Sequence, residues 1–501
     1  MGPLLLGASP NVLFISVDDW NDWVGAYGDE QAKTPNLDRL AAAGTAFTNA
    51  HTNAVYCAPS RTSLMTGKQP FSTGCYTDEP HFAATNRPGI KDLPLWFREN
   101  GYQVRGGGKL YHHMPGFIDW RGWDEYFIWN DDLKTSGWGL KSWGGGAPLP
   151  DELPASPIAR YLSDLEKKRN PDRPANKVNS HMEWGVLPDH LEEKMADTIC
   201  ANWAADFLRS GKAEEGKPFF LGFGLYAPHK PNFVPQKYFK MYPLKEVSQP
   251  GMRQGDLEDL PPLLRKKTLA RKSRIDGPVR ELKAGKKAVR GYLAALSYAD
   301  AMVGRVLTAL AEGPYAENTI VVLWSDNGYH LGEKGCWAKH TLWERTSNVP
   351  FIWAGPSIDK GAVVETTVSL LDTYPTLVDL CGLPKNPENE GVSLASILAE
   401  PDTAKDRSVL QSDRGSVAVI NQEWRFTRYD NGEEELYHIS EDPGEHHNLA
   451  AQSEFAGVIE KMAKDLPKQM ASPGRGPGGR GLRLKVEGEN CEWVSVPLKK
   501  K

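Results

Sequence analysis

Two short apolar runs that end in acidic residues constrain the fold of this chain more than any other feature. The first, NVLFISVDD, is apolar almost without a break from Val12 to Val17 and ends in Asp18 and Asp19. The second, NTIVVLWSDN, ends in a similar way at Asp326. An uninterrupted apolar run of this length is typical of a strand buried on both faces, as in a parallel sheet that helices cover. The two runs therefore predict interior strands of an α/β protein.

Amphipathic helical patterns lie between these runs. In KTPNLDRLAAAG, Thr34 stands at the cap position and Pro35 at the first helical position. A longer pattern begins at a predicted Asp189 cap and leads into the apolar strand PFFLGFGLY, and GYLAALSYADAMVGRVLTALAEG is another amphipathic helix. Helices that alternate with buried strands predict a large, mixed but mostly parallel sheet sandwiched by helices, with sites at the carboxyl ends of the strands.

The sequence changes character after about Leu383. LPKNPENEG resembles a loop, and SVAVINQEWRFTRY and EEELYHI have the pattern of an antiparallel ribbon. We therefore predict an α/β domain over residues 1–385 and a smaller C-terminal α+β subdomain with an antiparallel sheet over residues 386–501. Within this subdomain, ASPGRGPGGRG is expected to be irregular and LRLKV to return as an edge strand.

The composition argues against several classes of protein. The chain has 59 basic and 64 acidic residues and a net charge of -5, so no overall field would attract it to nucleic acid or a membrane, and we expect neither as a partner. Its six cysteines are scattered without a C-x-x-C, which argues against a zinc ribbon or a disulfide framework. MGPLLLGASP lacks the basic and apolar regions of a signal peptide, so the chain is either cytosolic or separated from an export signal.

Acidic and amide side chains follow both apolar strands. Asp18 and Asp19 come after the first strand, and Asp326 and Asn327 after the second. One such pair alone more often caps a helix or faces water, but two sets at equivalent places on one sheet favour a metal site. Carboxylate and amide oxygens are hard ligands, which suit Ca²⁺ or Mg²⁺ better than zinc.

A hard cation at this edge of the sheet implies an anionic substrate. Three cationic side chains could line the same rim, namely Arg61, Lys109 and Lys339. His112 and His229 are candidates for proton transfer, because histidine changes its charge near neutral pH.

Cys57 opens the segment CAPSR, directly before an apolar helical pattern. From the residue alone, four interpretations stay open: a small buried hydrophobe, a thiol nucleophile, a metal ligand or a substrate for covalent modification.

The segment CAPSRTSLMTG resembles the signature of the type I sulfatases, which begins C-x-P-S-R and ends L-x-T-G, here at Leu64, Thr66 and Gly67. In that family the cysteine is oxidised to formylglycine before folding, by an enzyme that reads the C-x-P-x-R string. The resemblance covers most of the chain and implies the alkaline phosphatase-like form of the predicted fold. Within the family, GKLYHH, PHKP and GEKGCWAKH are most similar to the iduronate-2-sulfatase branch.

The resemblance implies a role for each candidate residue. One group would bind a single Ca²⁺ in the active site: Asp18, Asp19, Asp326, Asn327 and the modified Cys57. A second group would hold the modified residue, the sulfate or the rest of the substrate: Arg61, Lys109, Lys339 and His340. His112 and His229 would transfer protons.

The chemistry of sulfate transfer agrees with such a modification. A serine or thiol that attacks sulfur leaves a sulfated enzyme, which water must then attack at a hindered centre. An aldehyde hydrate avoids this: one hydroxyl attacks sulfur, and deprotonation of the other, by His112, expels sulfate and regenerates the aldehyde. His229 would protonate the departing sugar oxygen.

We therefore expect a sulfatase that acts on a sulfated carbohydrate, with a 2-O-sulfated uronic acid as a candidate, and that is matured by the formylglycine-generating enzyme. The alternatives are a phosphonate or phosphate monoester hydrolase of the same superfamily, or an inactive glycan-binding homologue. The basic stretch from Arg265 to Arg290 is expected to be solvated, with contact to a polyanionic sugar chain as the alternative. We expect a periplasmic or secreted bacterial protein, because the chain has no N-x-S/T sequon; a lysosomal protein is the alternative.

Overall fold

A sheet of eight strands runs through the centre of the protein, and the two predicted apolar strands pair directly with each other in it. The computed structural model describes residues 9–76, 90–112, 118–128, 184–271, 279, 282–472, 481–487 and 490–496. The strands in these ranges are β1 (Asn11–Asp18), β2 (Gly44–Phe47), β3 (Ala50–His51), β4 (Gln103–Gly108), β5 (Glu125–Phe127), β6 (Trp184–Leu187), β7 (Phe219–Pro228), β8 (Asn232–Pro235), β9 (Thr319–Ser325), β10 (His330–Leu331), β11 (Trp337–Ala338), β12 (Phe351–Ala354), β13 (Ala362–Val364), β14 (Val368–Ser369), β15 (Val409–Asp413), β16 (Ser416–Ile420), β17 (Trp424–Arg428), β18 (Glu434–His438), β19 (Gly481–Glu487) and β20 (Asn490–Val496). The α-helices are α1 (Pro35–Ala42), α2 (Cys57–Thr66), α3 (Pro70–Thr73), α4 (Leu93–Glu99), α5 (Ala196–Ser210), α6 (Gln236–Lys240), α7 (Pro262–Arg271), α8 (Gly285–Glu312), α9 (Glu344–Ser347), α10 (Thr373–Leu380), α11 (Ala395–Ala399) and α12 (Ala456–Ala463).

The central sheet is mixed but mostly parallel, which confirms the predicted fold class. Its order is β13-β2-β12-β9-β1-β7-β4-β5. β1 runs parallel to β7 and β9, whereas β12 is antiparallel to both of its neighbours. Side chains alternate between the faces of β1: Leu13 and Ile15 pack in the cluster that includes α5 and α8, and Val12 and Phe14 in the cluster that includes α4 and α10. Helices on both faces explain why the strand is apolar throughout.

The longest helix, α8, is a core helix of this domain. Its 28 residues are apolar enough, by length and composition, to cross a membrane, but 78% of its most apolar stretch is buried inside the protein. It packs against α5, β7 and α1. Burial among these elements accounts for its apolar composition.

The predicted antiparallel ribbon is the four-stranded sheet β15-β16-β17-β18. One of its faces packs on Val55, Tyr56 and Trp343, next to the start of α2, and the other is covered by α12. LRLKV lies in β19, which pairs with β20 as a separate two-stranded hairpin. Most of the segment predicted to be irregular lies outside the described residues, and the domain boundary at residue 385 stays a prediction.

The helix predicted to start at Asp189 begins later. Residues Asp189–Lys194 form a 3-10 helix, and α5 starts at Ala196. Asp189 Oδ1 accepts a hydrogen bond from the backbone N–H of Lys237 at 2.8 Å, so the side chain fastens α6 instead of capping α5. A tertiary partner distant in sequence has thus displaced the local capping interaction.

A buried arginine joins the C-terminal sheet to the segment after β11. The Arg425 side chain has no exposed surface, and it pairs with Glu344 and with Glu445, the latter at 3.0 Å. It also donates a hydrogen bond to the carbonyl oxygen of Leu342 at 2.9 Å. The β17 strand is therefore tied to the residues that directly follow Lys339 and His340.

Substitution of this arginine is expected to be costly for stability. Arg425→Met should lower the free energy of unfolding by about 3–5 kcal/mol, because it leaves two carboxylates without their cation in a buried place. Arg428→Met, on the same strand, is the matched control: its side chain is 42% exposed and pairs with Glu434, so the loss should be about 1 kcal/mol or less. Urea denaturation measures both, and equal losses would contradict the assignment.

Candidate active site

Four adjacent parallel strands bring the predicted site residues together. β9, β1, β7 and β4 are neighbours in the sheet, and their carboxyl ends lie at the same edge. Asp18 is the last residue of β1, and Asp326, His229 and Lys109 directly follow β9, β7 and β4. This edge is where an α/β sheet is expected to hold its ligand.

Cys57 is the first residue of α2 and lies at the centre of this cluster. Its side chain is buried, and every residue of the helix is buried with it. The Cys57 thiol donates to Asp18 Oδ1 at 3.2 Å and accepts from Lys339 Nζ at 2.8 Å. Lys109 Nζ lies 4.0 Å from the same sulfur. The positive end of the helix dipole and two ammonium groups therefore surround residue 57.

Arg61, one turn further along α2, is 1% exposed and links three of the strand ends. Its Nε donates to Asp326 Oδ2 at 2.7 Å, after β9, and another N–H donates to Ser16 Oγ at 2.8 Å, on β1. It also donates to the carbonyl oxygen of Lys109, after β4. The guanidinium thus fixes the acidic cluster to the helix that carries Cys57.

Lys339 is placed by an unusual backbone. The residues on both sides of it, Ala338 and His340, have φ of 75° and 73°, in the left-handed region that non-glycine residues rarely adopt. Its ammonium donates to Asp19 and lies 3.4 Å from Asn327 Oδ1. Such strain costs about 1–3 kcal/mol per residue and is found mostly at functional sites.

The acidic residues of the cluster titrate differently from one another. Burial raises the pKa of each carboxyl group, but Lys109 beside Asp18 and Lys339 beside Asp19 outweigh it, and both pKa values are lowered. The pKa of Asp326 is raised, because burial and the charge of Asp18 outweigh the nearby cations. Asp18 and Asp19 are therefore held as carboxylates.

Asp19 offers an oxygen to a further ligand. Its Oδ2 is buried and has no hydrogen-bond partner among the residues that the structure describes. Ligand atoms of Asp18, Asp19, Cys57 and His229 all lie within 4.8 Å of one another. A buried carboxylate oxygen left in this state is costly unless a cation binds it, and the oxygen donors of this group fit Ca²⁺.

The other two predicted metal ligands adjoin Asp19 through hydrogen bonds. Asn327 Nδ2 donates to Asp19 Oδ1 at 2.7 Å, and the backbone N–H of Asp19 donates to Asp326 Oδ1 at 3.1 Å. The structure therefore brings together the whole predicted acidic set with Cys57.

His229 faces the cluster with one ring nitrogen. Its Nδ1 lies 2.6 Å from the carbonyl oxygen of Lys230, which can only accept, so Nδ1 carries the hydrogen. Its Nε2 lies 3.8 Å from Asp19 Oδ2. Burial lowers the pKa of His229 well below its usual range, which favours a neutral ring with Nε2 directed into the cluster.

The remaining two predicted histidines flank Tyr56, the residue before Cys57. The ring centroid of His340 lies 4.7 Å from that of Tyr56, and the centroid of His112 lies 6.5 Å from it. Both histidines thus border the cluster, at the side where β11 and the end of β4 meet α2.

Three supporting residues were missed in the sequence. Tyr292 on α8 donates a hydrogen bond to the carbonyl oxygen of Asp19 at 2.8 Å, and Ser16 Oγ accepts a hydrogen bond from Arg61. Asp197 on α5 accepts the backbone N–H groups of Tyr226 and Ala227, just before His229. These contacts join residues far apart in the chain, and their local sequence carries no signal for them.

The comparison with known proteins decides the family. A model described as Sulfatase matches residues 10–383. The chain belongs to the sulfatase family. A second model, the C-terminal part of N-sulphoglucosamine sulphohydrolase, matches residues 332–472. The protein is therefore a sulfuric ester hydrolase, and the predicted family and enzyme class are confirmed.

Known relatives extend over most of this sulfatase. A protein named sulfatase from Formosa agariphila is 36% identical over 472 residues, which cover 92% of this chain and 87% of the relative. Iduronate 2-sulfatase of Mus musculus is 29% identical, with 75% of this chain and 69% of the relative covered. The crystal structure of phosphonate monoester hydrolase of Agrobacterium radiobacter shares the fold, with a TM-score of 0.67, 20% identity and 91% and 94% of the two chains covered.

Proposed function

We propose that this sulfatase hydrolyses a sulfate ester of a sulfated carbohydrate, with formylglycine at position 57 as nucleophile and one Ca²⁺ in the site. The observation that carries the proposal is the place of Cys57: first in the buried helix α2, inside CAPSR, and between Asp18 and Lys339. The sulfur stands where an attacking atom would meet both the cations and the acidic cluster.

The surroundings of Cys57 argue against the thiol itself as nucleophile. Burial, and then the charges of Asp18 and Asp326, raise the pKa of the Cys57 thiol well above its usual range, although two lysines oppose them. The thiolate is the reactive form, and here it is disfavoured. Conversion to an aldehyde removes this difficulty, since its hydrate supplies one hydroxyl to attack sulfur and another to expel sulfate.

The residues around position 57 are proposed to stabilise negative charge and to bind the metal. Lys339 and Lys109 place positive charge where the nonbridging oxygens of sulfate gain charge in the transition state, and the start of α2 adds its dipole. Asp18, Asp19, Asp326 and Asn327 would hold the Ca²⁺, which supplies further positive charge there.

The proton for the leaving oxygen is assigned to His229. Its Nε2 is directed into the site, and the anionic substrate would raise the pKa that burial lowers. His112 is assigned to deprotonate the second hydroxyl on residue 57.

The substrate class is proposed from the relatives. The mouse relative is named for a 2-sulfated iduronate, and GKLYHH, PHKP and GEKGCWAKH are most similar to that branch. A 2-O-sulfated uronic acid is therefore the proposed substrate unit. Action on such chains agrees with a periplasmic or secreted bacterial enzyme that the formylglycine-generating enzyme has matured.

A panel of esters tests this proposal. Sulfate release from defined sulfated disaccharides, 2-O-sulfated uronates among them, should exceed phosphate or phosphonate release from matched esters. A faster phosphonate reaction would instead support a phosphonate or phosphate monoester hydrolase. Mass spectrometry of the peptide with Cys57 should show the conversion to aldehyde, and a thiol in fully active enzyme would contradict the nucleophile. A protein with an unconverted thiol that binds sulfated glycans without hydrolysis would be an inactive homologue.

Removal of the metal is expected to reduce activity and thermal stability together. A chelator should lower the rate of sulfate release by at least about tenfold, because the sulfate oxygens lose a cation. The melting temperature should fall as well, since an ion at 100 times its Kd stabilises the folded state by about 2.7 kcal/mol. Added Ca²⁺ should restore both, and a chelator that changes neither would contradict the metal site.

A further inference from the structure

A cleft lies beside the active site, between α7, the segment 336–343 and the C-terminal sheet. Its volume is about 130 Å³, and its walls include Lys267, Thr268, His340, Asp413 and Tyr429. A cavity that holds one water molecule needs roughly 10–15 Å³, so the cleft holds on the order of ten non-hydrogen atoms. This is close to the size of one sugar unit.

The cleft adjoins the catalytic residues through His340. This side chain is exposed and lines the cleft, and its ring centroid lies 4.7 Å from that of Tyr56, with the two rings tilted by 50°. Lys339, one residue earlier, donates to Cys57 Sγ. Two consecutive residues, Lys339 and His340, thus contact Cys57 and the cleft respectively.

The outer wall of the cleft is fastened in place. Glu433, in the turn between β17 and β18, accepts the backbone N–H groups of Leu263 and Leu264 at 2.8 and 3.2 Å, at the start of α7. Lys267 Nζ lies 3.6 Å from Asp430 Oδ1 in the same turn. α7 and the turn thus form one wall, and the negative charge of Glu433 is directed at the helix start.

The groups that face the cleft suit a charged sugar. Tyr429 offers apolar ring surface, and Asp413 and Thr268 offer oxygens that can bind hydroxyl groups. The Lys267 side chain is 57% exposed and lies in the α7 wall of the cleft. This wall therefore presents one cation to the cleft.

We propose that this cleft is a subsite for the sugar unit next to the one that carries the scissile sulfate, and that Lys267 selects a carboxylate or sulfate group on that unit. The inference rests on the proposed function of the catalytic centre. In this proposal, Lys267 of the basic stretch acts by direct contact with the neighbouring sugar unit. An oligosaccharide should therefore be a better substrate than a monosaccharide.

Two charge variants on α7 test the subsite by activity. The measured value is a ratio: kcat/KM for a sulfated disaccharide with an anionic second unit, divided by kcat/KM for the matching sulfated monosaccharide. Lys267→Met should lower this ratio by about tenfold, since a hydrogen bond between charged groups is lost. Lys267→Arg should restore most of it, and Lys266→Met, on the same helix but outside the cleft, is the control. Equal ratios in Lys267→Met and Lys266→Met would overturn the subsite.

A binding measurement separates this inference from the proposed function. Titration of the desulfated disaccharide, followed by NMR, does not require hydrolysis. Lys267→Met should weaken its binding about tenfold relative to Lys266→Met, whatever reaction the centre performs. Equal affinities would overturn the subsite even if the enzyme releases sulfate, whereas a failure of the proposed function would appear only as absent sulfate release from both substrates.

Discussion

Cys57→Ser is expected to stop multiple turnover while the protein still folds. Serine is close to cysteine in size, and Lys339 and Asp18 can bond its hydroxyl as they bond the thiol. The hydroxyl can accept sulfate, but the resulting ester has no second hydroxyl to expel it. The variant should therefore release about one equivalent of sugar per enzyme and then stop. Stopped-flow detection of the released sugar, with mass spectrometry of the sulfated peptide, measures this.

Two further variants make this result specific. Cys57→Ala should show no burst at all, because no attacking oxygen is present. Cys200→Ser makes the same thiol-to-hydroxyl change at another buried cysteine, on α5, and should keep full turnover. Sustained turnover by Cys57→Ser would contradict the formylglycine mechanism.

The sequence predicts which candidate residues lie together where those residues follow strands. An apolar run that ends in Asp18 and Asp19 indicates both a buried strand and the place where that strand stops. Because β1 and β9 are parallel neighbours, a second run with the same ending brings Asp326 to the same edge. The acidic cluster is thus a consequence of strand polarity, which local sequence patterns report.

Contacts that depend on packing could not be predicted in this way. Lys339 reaches Cys57 because Ala338 and His340 both adopt a left-handed backbone, and neither residue type signals it. Tyr292 lies on the core helix α8, where the sequence pattern indicates only another apolar position. Its hydroxyl nevertheless donates a hydrogen bond to the carbonyl oxygen of Asp19. Asp189 has the local pattern of a helix cap, but its side chain accepts a hydrogen bond from the backbone of α6 instead.

The packing of the C-terminal sheet also changes how that region is understood. From composition it is an appendage with an antiparallel ribbon. In the structure, its inner face packs on Tyr56, and Arg425 fixes the segment that follows Lys339 and His340. The sheet therefore helps to build one side of the active site, and it lines the cleft next to it.

The balance of charge in the site is compatible with the proposed cation and an anionic substrate together. Lys109 and Lys339 lie against Asp18 and Asp19, so the acidic residues do not simply repel one another when no ion is bound. A bound Ca²⁺ would then leave the cluster with excess positive charge, which suits a sulfate ester.

His229→Ala is expected to slow hydrolysis of a sulfated sugar by roughly 10²- to 10⁴-fold, the usual contribution of a positioned acid. A sugar alkoxide is very basic and needs a proton in the transition state, whereas a nitrophenolate does not. The same variant should therefore lose much less activity on an activated aryl sulfate. Comparison of kcat for both substrates, in wild type and variant, measures the difference.

The matched variant His112→Ala gives the opposite expectation. His112 is assigned to the step that expels sulfate from residue 57, which is the same for every leaving group, so both substrates should fall to the same limiting kcat. If His229→Ala instead slows both substrates by the same factor, then His229 holds sulfate or structure, and its Nε2, 3.8 Å from Asp19, serves the acidic cluster. The proton donor would then be His112 or His340, the two histidines that flank Tyr56.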